Sequence, residues 1–489
     1  MIRTLLLNRE HWAKTAVLDG ENTISYGDLA ARAFSLCIRL TLPQAAGSHT
    51  AILLPDGGDY IAALFGALMA GTTAFPLNAT LTRHEIEALL SQTGTRRVVT
   101  SAAFRPLWDG MADPPEALYM EELPPWTNGP FPERVWADAN ECMLLLATSG
   151  TTGKAKIVML SERNVESSVT DNLCRIDYGN CNEEDIRYLL GTPLSSVYGL
   201  HILFLLLRRG FTLVAAPAHF SPDTFFGTIA RCRVTHFEGG AIAAALMEQC
   251  AGRGIPYDIS CARYFCFAGS GVSGETMRRL TEAFPHAVFW PGYGMTEASP
   301  LITKPDQYFP LEKRSSVGLP GKETALMIET GDRKTREPFV RGEVVVKGPN
   351  VMLGYFENET ETARVLREGW LHTGDVGYLD GDGYLYLCGR MKNVILVRGF
   401  TVYAEEVEEC IMQSGLAEEC VVRGEANSLG SERVCAEIVP KTPDVTPADI
   451  MAWCRGRLAD YKQPRQILLT DGFRKTATGK IKRTNREAL

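Results

Sequence analysis

The stretch LLLATSGTTGKAKIVMLSERNV, residues 144–165, decides how the chain is classified. An apolar run breaks into seven residues of threonine, serine, glycine and lysine, and then becomes apolar again. Two glycines permit a tight turn, while four hydroxyl groups and a lysine can donate hydrogen bonds to phosphate oxygens. The stretch predicts a phosphate-binding loop between two strands, with a plain polar turn as the alternative.

This loop is not a Walker loop. A Walker loop needs a first glycine five residues before its last glycine, and a hydroxyl residue directly after its lysine. Here Thr148 occupies the first of these positions, and Ala155 follows Lys154. The chain is therefore not predicted to be a P-loop nucleotide hydrolase.

The composition is that of a globular protein with more than one lobe. A length of 489 residues exceeds one ordinary core, and 45% hydrophobic with 22% charged residues excludes disorder. A net charge of −8 gives no general reason to bind nucleic acid or an anionic membrane. No apolar run approaches the roughly 20 residues of a spanning helix, and no signal peptide is recognisable. We expect no nucleic-acid partner and no integral membrane segment.

The cysteines and histidines do not form a recognisable metal site. The thirteen cysteines include no CxxC pair, and the eight histidines form no HExxH motif. Scattered cysteines are typical of free thiols in a reducing compartment. The expected location is the cytoplasm.

Alternating strand-like and helix-like segments predict an α/β fold over the first 300 residues. Examples are the stretches TAVLDG, SYGDLAARAFSLCIRL, HTAILLP and DYIAALFGALMAG. Short strands separated by Gly and Asp turns follow, which predicts a β-rich subdomain. After Arg390 the α/β pattern returns, so we expect an N-terminal domain over 1–390 and a C-terminal domain over 391–489.

A second glycine-rich segment, YFCFAGSGVSGETMRRL, carries G-x-G-x-x-G between an expected strand and an expected helix. This is the context of a dinucleotide-binding turn. However, the next strand runs into PGYGMTEASP and does not end on an acidic residue that would hold a ribose. An NAD-linked oxidoreductase and a plain strand-to-helix turn both stay open at this point.

Four further stretches occur in order along the chain: GYGMTE at 292–297, HTGDVGYLDGDGYLYLCGR at 372–390, RMKNVILVRGFTVYAEEVE at 390–408, and KTATGKIKR at 475–483. Taken singly, each has an ordinary explanation as a helix cap, a turn or a solvated lysine. Together with the two glycine-rich segments, they closely resemble the adenylate-forming family of acyl-CoA synthetases, peptide-synthetase adenylation domains and luciferases. The resemblance covers nearly the whole chain, since TISYGDLAARAF also looks like an early motif of that family.

The resemblance implies a large N-terminal domain of two α/β subdomains and a β-barrel subdomain, followed by a small mobile α+β C-terminal domain. It implies an ATP- and Mg²⁺-dependent ligase that activates an acyl or aryl acid as acyl-AMP, releases pyrophosphate, and transfers the acyl group to CoA. The alternative acceptor is the phosphopantetheine of a carrier protein. A nucleotide-binding regulator without catalysis is a further alternative.

The resemblance also implies roles for individual residues. Lys480 would bridge the carboxylate and the α-phosphate, Thr296 would bind the α-phosphate, and Glu297 would help to bind Mg²⁺. Asp375 would bind the ribose hydroxyls, with Arg390 nearby. The remaining nucleotide contacts would come from Thr148, Ser149, Gly150, Thr151, Thr152, Gly153, Lys154, Gly269, Ser270, Gly271, Tyr293 and Gly294.

The second half-reaction of the family uses a rotation of the C-terminal domain. By resemblance, Lys392 is the hinge residue, and Gly399 and Phe400 line the thiol tunnel. Ala404 stands where a proline is common in the family. This departure concerns the stiffness of the loop rather than its chemistry.

Two further departures concern the phosphate loop and the acyl pocket. Ala155, Ile157 and Glu162 replace the more common Pro, Gly and His, and spare the phosphate-contacting groups. Ser195 and Ser196 stand where amino-acid-activating relatives carry Asp, which disfavours an α-amino acid. The expected pocket residues are Ser196, Tyr198, Gly199, Phe237 and Gly240. Glu238 is either a pocket anion that selects a polar acid or a capped or solvated carboxylate.

Overall fold

The structure is a computed structural model. It describes residues 1–41, 49–111, 113–125, 138–148, 155–176, 182–217, 219–251, 254–268, 272–305, 309–397, 400–426, 432–455, 457–475 and 481. Contacts divide the chain into two compact units. The first contains Met1–Ala325 and Val346–Leu371, and the second contains Leu326–Val345 and His372–Leu489.

The strands of the described part are short and bounded by turns. Up to residue 320 they are β1 Thr15–Asp19, β2 Asn22–Ser25, β3 His49–Leu53, β4 Thr73–Pro76, β5 Arg97–Thr100, β6 Glu116–Tyr119, β7 Cys142–Thr148, β8 Lys156–Ser161, β9 Arg187–Gly191, β10 Thr212–Val214, β11 His236–Gly239, β12 Tyr264–Ala268, β13 Val288–Gly294, β14 Leu301–Lys304 and β15 Leu319–Pro320. The later strands are β16 Ala325–Thr330, β17 Arg333–Thr335, β18 Gly342–Lys347, β19 Gly354–Tyr355, β20 Leu366–Arg367, β21 Trp370–Leu379, β22 Leu385–Arg390, β23 Val394–Val397, β24 Phe400–Tyr403, β25 Ala417–Ala426, β26 Glu432–Pro440 and β27 Gln466–Leu469.

The α-helices of the described part alternate with these strands. They are α1 Tyr26–Leu40, α2 Gly58–Met69, α3 Arg83–Thr93, α4 Glu162–Leu173, α5 Val197–Arg209, α6 Pro222–Cys232, α7 Ala241–Ala251, α8 Gly274–Ala283, α9 Glu359–Val365, α10 Ala404–Met412 and α11 Pro447–Arg455. None of the helices in the described ranges combines the length and the apolar character that a membrane span requires.

Several helices begin at a capping box, in which two side chains satisfy backbone N–H groups reciprocally. Ser25 with Asp28 opens α1, Thr82 with Glu85 opens α3, and Ser161 with Asn164 opens α4. Each of these serine or threonine caps directly precedes the amphipathic segment. The helix starts are therefore encoded locally in the sequence.

The first unit is built on two sheets. The nine-stranded sheet has the order β15-β14-β13-β12-β11-β9-β10-β1-β2 and is parallel from β13 to β1. The seven-stranded sheet has the order β19-β8-β7-β4-β3-β5-β6 and is parallel from β7 to β6. Helices cover the faces of such sheets, and ligands bind outside the carboxyl ends of the strands.

Two hydrophobic clusters hold the nine-stranded sheet between helix layers. One contains Phe34 of α1, Phe65 of α2 and Phe204 of α5. The other contains Phe225 of α6, together with Phe265 and residues of α7 and α8. The two faces of β11–β13 therefore have different surroundings.

The second unit contains most of a six-stranded sheet and a C-terminal lobe. The six-stranded sheet has the order β17-β16-β18-β21-β20, with β22 paired to β21. The lobe combines the β23–β24 hairpin and the sheet β25-β26-β27 with α10 and α11 around its own core, which includes Val407, Ile438 and Ile450.

Candidate active site

A tight turn follows β13 and presents Thr296 and Glu297. Thr296–Ala298 form a 3-10 turn, and the backbone N–H of Met295 donates to the carbonyl of Pro300 at 3.0 Å. A Cβ on Gly294 would lie 1.9 Å from that carbonyl oxygen, so only glycine fits. Tyr293, Gly294, Thr296 and Glu297 are thereby brought together at the carboxyl edge of the parallel strands, where ligands bind.

Glu297 is held in this turn by residues 350–355. The side chain of Glu297 is 8% exposed, and the hydroxyl of Tyr355 donates to its Oε1 at 2.8 Å. The N–H of Met352 donates to the carbonyl of Glu297 at 2.9 Å, while Asn350 donates to the carbonyl of Ala298. Burial and the neighbouring Glu297 raise the pKa of Tyr355, so its hydroxyl stays protonated and donates.

Glu297 has the chemistry of a magnesium ligand. Among the described residues, no cationic side chain forms an ion pair with this buried carboxylate. Mg²⁺ binds through one or two carboxylates together with substrate phosphates. The predicted metal role of Glu297 fits this environment.

The strands that flank the predicted phosphate loop are joined at its base. Thr148 and Lys156 are register partners on β7 and β8, and the hydroxyl of Thr148 donates to the carbonyl of Lys156 at 3.2 Å. The ammonium of Lys156 pairs with Glu361 at 2.5 Å and lies 5.1 Å from the ring centroid of Tyr355. The base of the loop and Glu297 therefore share Tyr355 as a neighbour.

Ser196 and Gly199 shape the loop that enters α5. The hydroxyl of Ser196 accepts the N–H of Gly199 at 3.0 Å and donates to the carbonyl of Pro193 at 2.7 Å. A Cβ on Gly199 would lie 2.1 Å from the same carbonyl oxygen. Both residues fix the backbone beside Tyr198, which is half-buried.

Phe237 and Glu238 point to opposite faces of the nine-stranded sheet, as neighbours on a strand do. The Phe237 ring is 1% exposed and packs on Phe225 and Phe265 in the core under α6. On the other face, Glu238 forms a buried ion pair with Lys304 at 3.3 Å. Glu238 is therefore neither solvated nor a helix cap, while Gly240 lies half-buried just beyond the strand end.

In the second unit, Asp375 and Arg390 lie together on the β21–β22 hairpin. They are register partners, and Oδ1 of Asp375 is 2.6 Å from Nε of Arg390. The Asp375 side chain is 7% exposed and that of Arg390 is 47% exposed. The arginine thus engages one oxygen of the buried carboxylate.

The turn before Asp375 is braced by Glu343. One oxygen of Glu343 accepts the N–H of Gly374 at 3.0 Å, and the other lies 2.9 Å from Nδ1 of His372. The hydroxyl of Thr373 donates to the carbonyl of Val344 at 2.7 Å and accepts the N–H of Asp375 at 3.1 Å. Gly374 takes φ +71°, which glycine adopts readily.

The predicted hinge lies in a short 3-10 turn, Met391–Asn393, whose Lys392 is described through its backbone alone. The amide of Asn393 donates to Glu405 at 2.5 Å across this turn. A Cβ on Gly389 would lie 2.2 Å from a carboxylate oxygen of Glu405. The residues on both sides of Lys392 therefore lie close to Glu405. Phe400 begins β24.

Several predicted site residues lie outside the described residues. They are Ser149, Gly150, Thr151, Thr152, Gly153, Lys154, Gly269, Ser270, Gly271, Gly399 and Lys480. Their roles stay predictions.

Four supporting residues are not predicted from the sequence: Tyr355, Lys156, Glu343 and Lys304. Each acts through a partner that is distant in sequence, and the Tyr355–Glu297 pair is separated by 58 residues. Two of these residues had a signal in the sequence, Lys156 in GKAK and Glu343 in GEVVVKG. Charged residues at strand ends are candidates for a functional site.

Comparison with known proteins agrees with these features. Residues 7–356 match the family described as AMP-binding enzyme, and residues 406–480 match the AMP-binding enzyme C-terminal domain. A feruloyl-CoA synthase from an Amycolatopsis species is 31% identical, and the alignment covers 96% of this chain and 94% of the relative.

Two solved structures of o-succinylbenzoate CoA synthetase from Bacillus subtilis are similar over the whole chain. The complex with its acyl-adenylate intermediate has a TM-score of 0.85 at 26% identity, covering 98% of this chain and 96% of that chain. The complex with ATP and magnesium has a TM-score of 0.85 at 26% identity, covering 98% of each chain.

These similarities confirm the fold class expected from the sequence, a mixed α/β chain with a large N-terminal and a small C-terminal domain. The NAD-linked alternative built on the 269–274 segment is wrong, because that segment lies inside the AMP-binding match. The chain belongs to the AMP-binding enzyme family and is an AMP-forming acid–thiol ligase.

Proposed function

We propose that the enzyme activates a small carboxylic acid with ATP and Mg²⁺, and then transfers the acyl group from AMP to CoA. In the first step a carboxylate oxygen attacks the α-phosphorus of ATP, and the bond to pyrophosphate breaks. In the second step the CoA sulfur attacks the acyl carbonyl, and AMP leaves. The names of the relatives, among them feruloyl-CoA synthase, support CoA as the acceptor.

Glu297 and Thr296 lie at the end of the site that would bind the phosphates of ATP. Mg²⁺, when bound, would neutralise charge on the phosphate oxygens, and Glu297 is the residue that would hold it. Thr296 donates to the α-phosphate from the same turn. The loop from Thr148 to Lys154 covers the departing pyrophosphate, and Lys480 bridges the carboxylate and the α-phosphate.

Asp375 is the residue that would bind the ribose of ATP. A carboxylate with two oxygens can accept hydrogen bonds from both ribose hydroxyls. Its burial and the brace of Glu343 support this role, because a fixed acceptor loses little conformational freedom on binding. Arg390 orients the carboxylate through the contact of its Nε with Oδ1 at 2.6 Å.

The acyl pocket lies at the carboxyl edge of β11–β13, between Tyr198 and Gly240. The half-buried state of both residues supports this position. The predicted division into domains 1–390 and 391–489 belongs to the same proposal, with Lys392 as the hinge and Gly399 and Phe400 at the thiol path.

The alternative acceptor, a carrier-protein phosphopantetheine, presents the same thiol chemistry, but the names of the relatives support CoA. The cytoplasm is the proposed location. The cysteines of the described part are free thiols, which supports a reducing compartment.

The buried Glu297 carboxylate, held by Tyr355 and without a cationic partner in the described ranges, carries this proposal. The test is pyrophosphate release across a panel of acids with ATP and Mg²⁺, each assayed with CoA, with a carrier protein and with neither thiol. We expect AMP and pyrophosphate in equal amounts, with thioester formed from CoA. Glu297→Gln should lower the rate by about 10²-fold or more.

The matched control is Glu312→Gln, which removes the charge of an exposed carboxylate in the same unit. This variant should retain the wild-type rate. Absence of pyrophosphate with every acid would favour the regulator alternative, and thioester formed only on the carrier protein would identify that acceptor instead.

A further inference from the structure

One histidine and two glutamates meet on three neighbouring strands of the six-stranded sheet. Glu329 lies on β16, Glu343 on β18 and His372 on β21, and these strands are adjacent in the sheet order. Nδ1 of His372 lies 2.9 Å from Oε2 of Glu343 and 3.3 Å from Oε2 of Glu329. All three residues belong to the second compact unit. We call them the His372 cluster.

The backbone around the cluster brings the three strands close together. A Cβ on Gly342 would lie 2.1 Å from the carbonyl oxygen of Glu329, so β18 approaches β16 this closely only with glycine at that position. The hydroxyl of Thr373 donates to the carbonyl of Val344 at 2.7 Å, which ties β21 to β18 beside the cluster. The three side chains therefore meet through strand packing, although they are distant in sequence.

The side chains of the cluster are shielded from solvent. The exposed fraction is 4% for His372, 10% for Glu343 and 17% for Glu329. Carboxylates that lose most of their hydration need a cation or hydrogen-bond donors in its place. This burial, and the presence of an imidazole, distinguish the cluster from a group of surface acids.

Each carboxylate has one oxygen held by the protein and one oxygen directed at His372. Oε1 of Glu329 pairs with the ammonium of Lys334 at 3.0 Å, and Oε1 of Glu343 accepts the N–H of Gly374 at 3.0 Å. The two Oε2 atoms converge on the same ring nitrogen, which carries at most one proton. One N–H cannot point straight at both oxygens, whereas one metal ion can be bound by all three atoms at once.

The spacing of these atoms suits a divalent transition metal. Zinc binds imidazole nitrogen and carboxylate oxygen at about 2.0–2.2 Å in a tetrahedral arrangement, which places neighbouring ligand atoms about 3.4 Å apart. The separations of 2.9 and 3.3 Å are close to this value. An imidazole ligand favours zinc and similar ions over magnesium and calcium, which prefer oxygen ligands. Carboxylates whose outer oxygens are hydrogen-bonded, as here, are typical of metal sites.

A pocket beside the cluster offers an entry path and space for a water molecule. The pocket has a volume of about 350 Å³, and both glutamates line it together with Val376, Met391 and Tyr403. This volume is many times the roughly 30 Å³ that one water molecule occupies in the liquid. A zinc ion with three protein ligands can bind water as its fourth.

We propose that Glu329, Glu343 and His372 bind one divalent transition-metal ion such as zinc, in a site formed without Glu297. The ion joins β16, β18 and β21 just before Asp375, because Glu343 contacts both His372 and the N–H that follows Thr373. Metal binding does not depend on the proposed function. Its consequence, a firmly held Asp375 for the ribose, rests on that function.

Metal binding is measured on the untagged full chain carrying Glu297→Gln, without nucleotide, so that the predicted magnesium ligand does not contribute. After dialysis against a chelator, Zn²⁺ is titrated and the bound metal is determined by elemental mass spectrometry. We expect one tightly bound ion per chain. Co²⁺ in its place should give the visible absorption of a four-coordinate ion, without the charge-transfer band that cysteine ligands would add.

Glu329→Gln, Glu343→Gln and His372→Gln, each added to the same background, remove one ligand at a time. Each should weaken Zn²⁺ binding by about tenfold or more. The matched control is Glu337→Gln, which removes the charge of an exposed carboxylate paired with Arg333 in the same unit and should leave the affinity unchanged. If the His372 variant fails to fold, Glu329→Gln decides, because its carboxylate is the most exposed of the three ligands.

Hydrogen exchange of the backbone measures whether the ion holds the segment before Asp375. With Zn²⁺ bound, exchange in peptides that cover Gly374 and Asp375 should slow by about tenfold or more, and this protection should be absent in Glu329→Gln. Bound zinc without such protection would overturn the link between the ion and Asp375.

The remaining outcomes separate the metal site from the proposed function. Absence of tight Zn²⁺ binding, or binding that none of the three ligand variants weakens, would overturn the site and leave His372 as a hydrogen-bond donor shared by two glutamates. Absence of pyrophosphate release from the wild-type enzyme would overturn the proposed function, while the metal titration would still decide this inference.

Discussion

At the residue scale, Tyr355 is the main support of Glu297. Its hydroxyl donates to one carboxylate oxygen at 2.8 Å, and both side chains are buried. Tyr355→Phe removes this hydrogen bond, worth about 0.5–1.5 kcal/mol, and leaves the ring in place. We expect the Mg²⁺ concentration for half-maximal pyrophosphate release to rise about two- to tenfold, because Glu297 is then less well oriented.

Tyr26→Phe is the control for this prediction. Tyr26 is also buried, and its hydroxyl donates to the carbonyl of Phe211 at 2.6 Å and to that of Leu206 at 3.3 Å, so its variant also loses buried hydrogen bonding. We expect Tyr26→Phe to lower stability without changing the Mg²⁺ dependence. The same Mg²⁺ dependence in both variants would assign Tyr355 a purely structural role.

Single residues were predictable from the sequence where a motif names them. Asp375 and Arg390 were expected together and are register partners. Tyr355, Glu343 and Lys304 were not expected as supports, because their partners are brought to them by the fold. The Glu238–Lys304 pair spans 66 residues, and its two halves come from different strands.

At the element scale, Glu162 explains a departure from the family pattern. It is the first residue of α4, where a carboxylate also complements the helix dipole. Its oxygens accept the backbone N–H of Arg3 at 3.0 Å and face the Arg3 guanidinium at 3.5 Å. The acid in place of the common histidine therefore fixes the N-terminal segment onto α4.

Glu162→Ala should be strongly destabilising. The variant leaves the buried guanidinium of Arg3 unpaired, which costs about 3–5 kcal/mol in the free energy of unfolding of the first unit. Urea denaturation followed by tryptophan fluorescence measures this loss. Glu166→Ala, on the same helix, breaks a more exposed pair with Arg208 and should cost about 1 kcal/mol or less. Equal losses in the two variants would contradict the anchoring role of Glu162.

Helices and strands were predictable from the sequence where local signals agree. The order of the strands within the sheets was not predictable. The expected strand in TAVLDG is β1, and the helix in SYGDLAARAFSLCIRL is α1, opened by the Ser25 cap. No local signal places β1 beside β10, which lies about two hundred residues later in the chain. Pairing of distant strands depends on the packing of the whole sheet, which periodicity does not encode.

At the scale of the whole molecule, the order of the six motifs predicted the family, while the proposed alternation between half-reactions would depend on the proposed hinge at Lys392. Asn393 donates a hydrogen bond to Glu405, whose carboxylate also fills the space that a side chain at position 389 would need. These contacts fix one arrangement of the segment. If the C-terminal domain rotates between the half-reactions, as proposed, these contacts would have to be exchanged.

Lys392→Pro and Lys480→Ala should therefore have opposite effects on the two half-reactions. Proline fixes φ near −65° and should stiffen the proposed hinge. The rate of acyl-AMP formation should then stay within about twofold of the wild-type rate, while the rate of thioester formation should fall about tenfold or more. Under its proposed role, Lys480→Ala removes the cation that would contact the forming bond, so acyl-AMP formation should fall about 10²-fold or more, while supplied acyl-AMP still reacts with CoA. Single-turnover assays of each half-reaction measure both effects. Equal losses in both half-reactions for Lys480→Ala would contradict its assigned role, and unimpaired thioester formation in Lys392→Pro would count against rotation at this hinge.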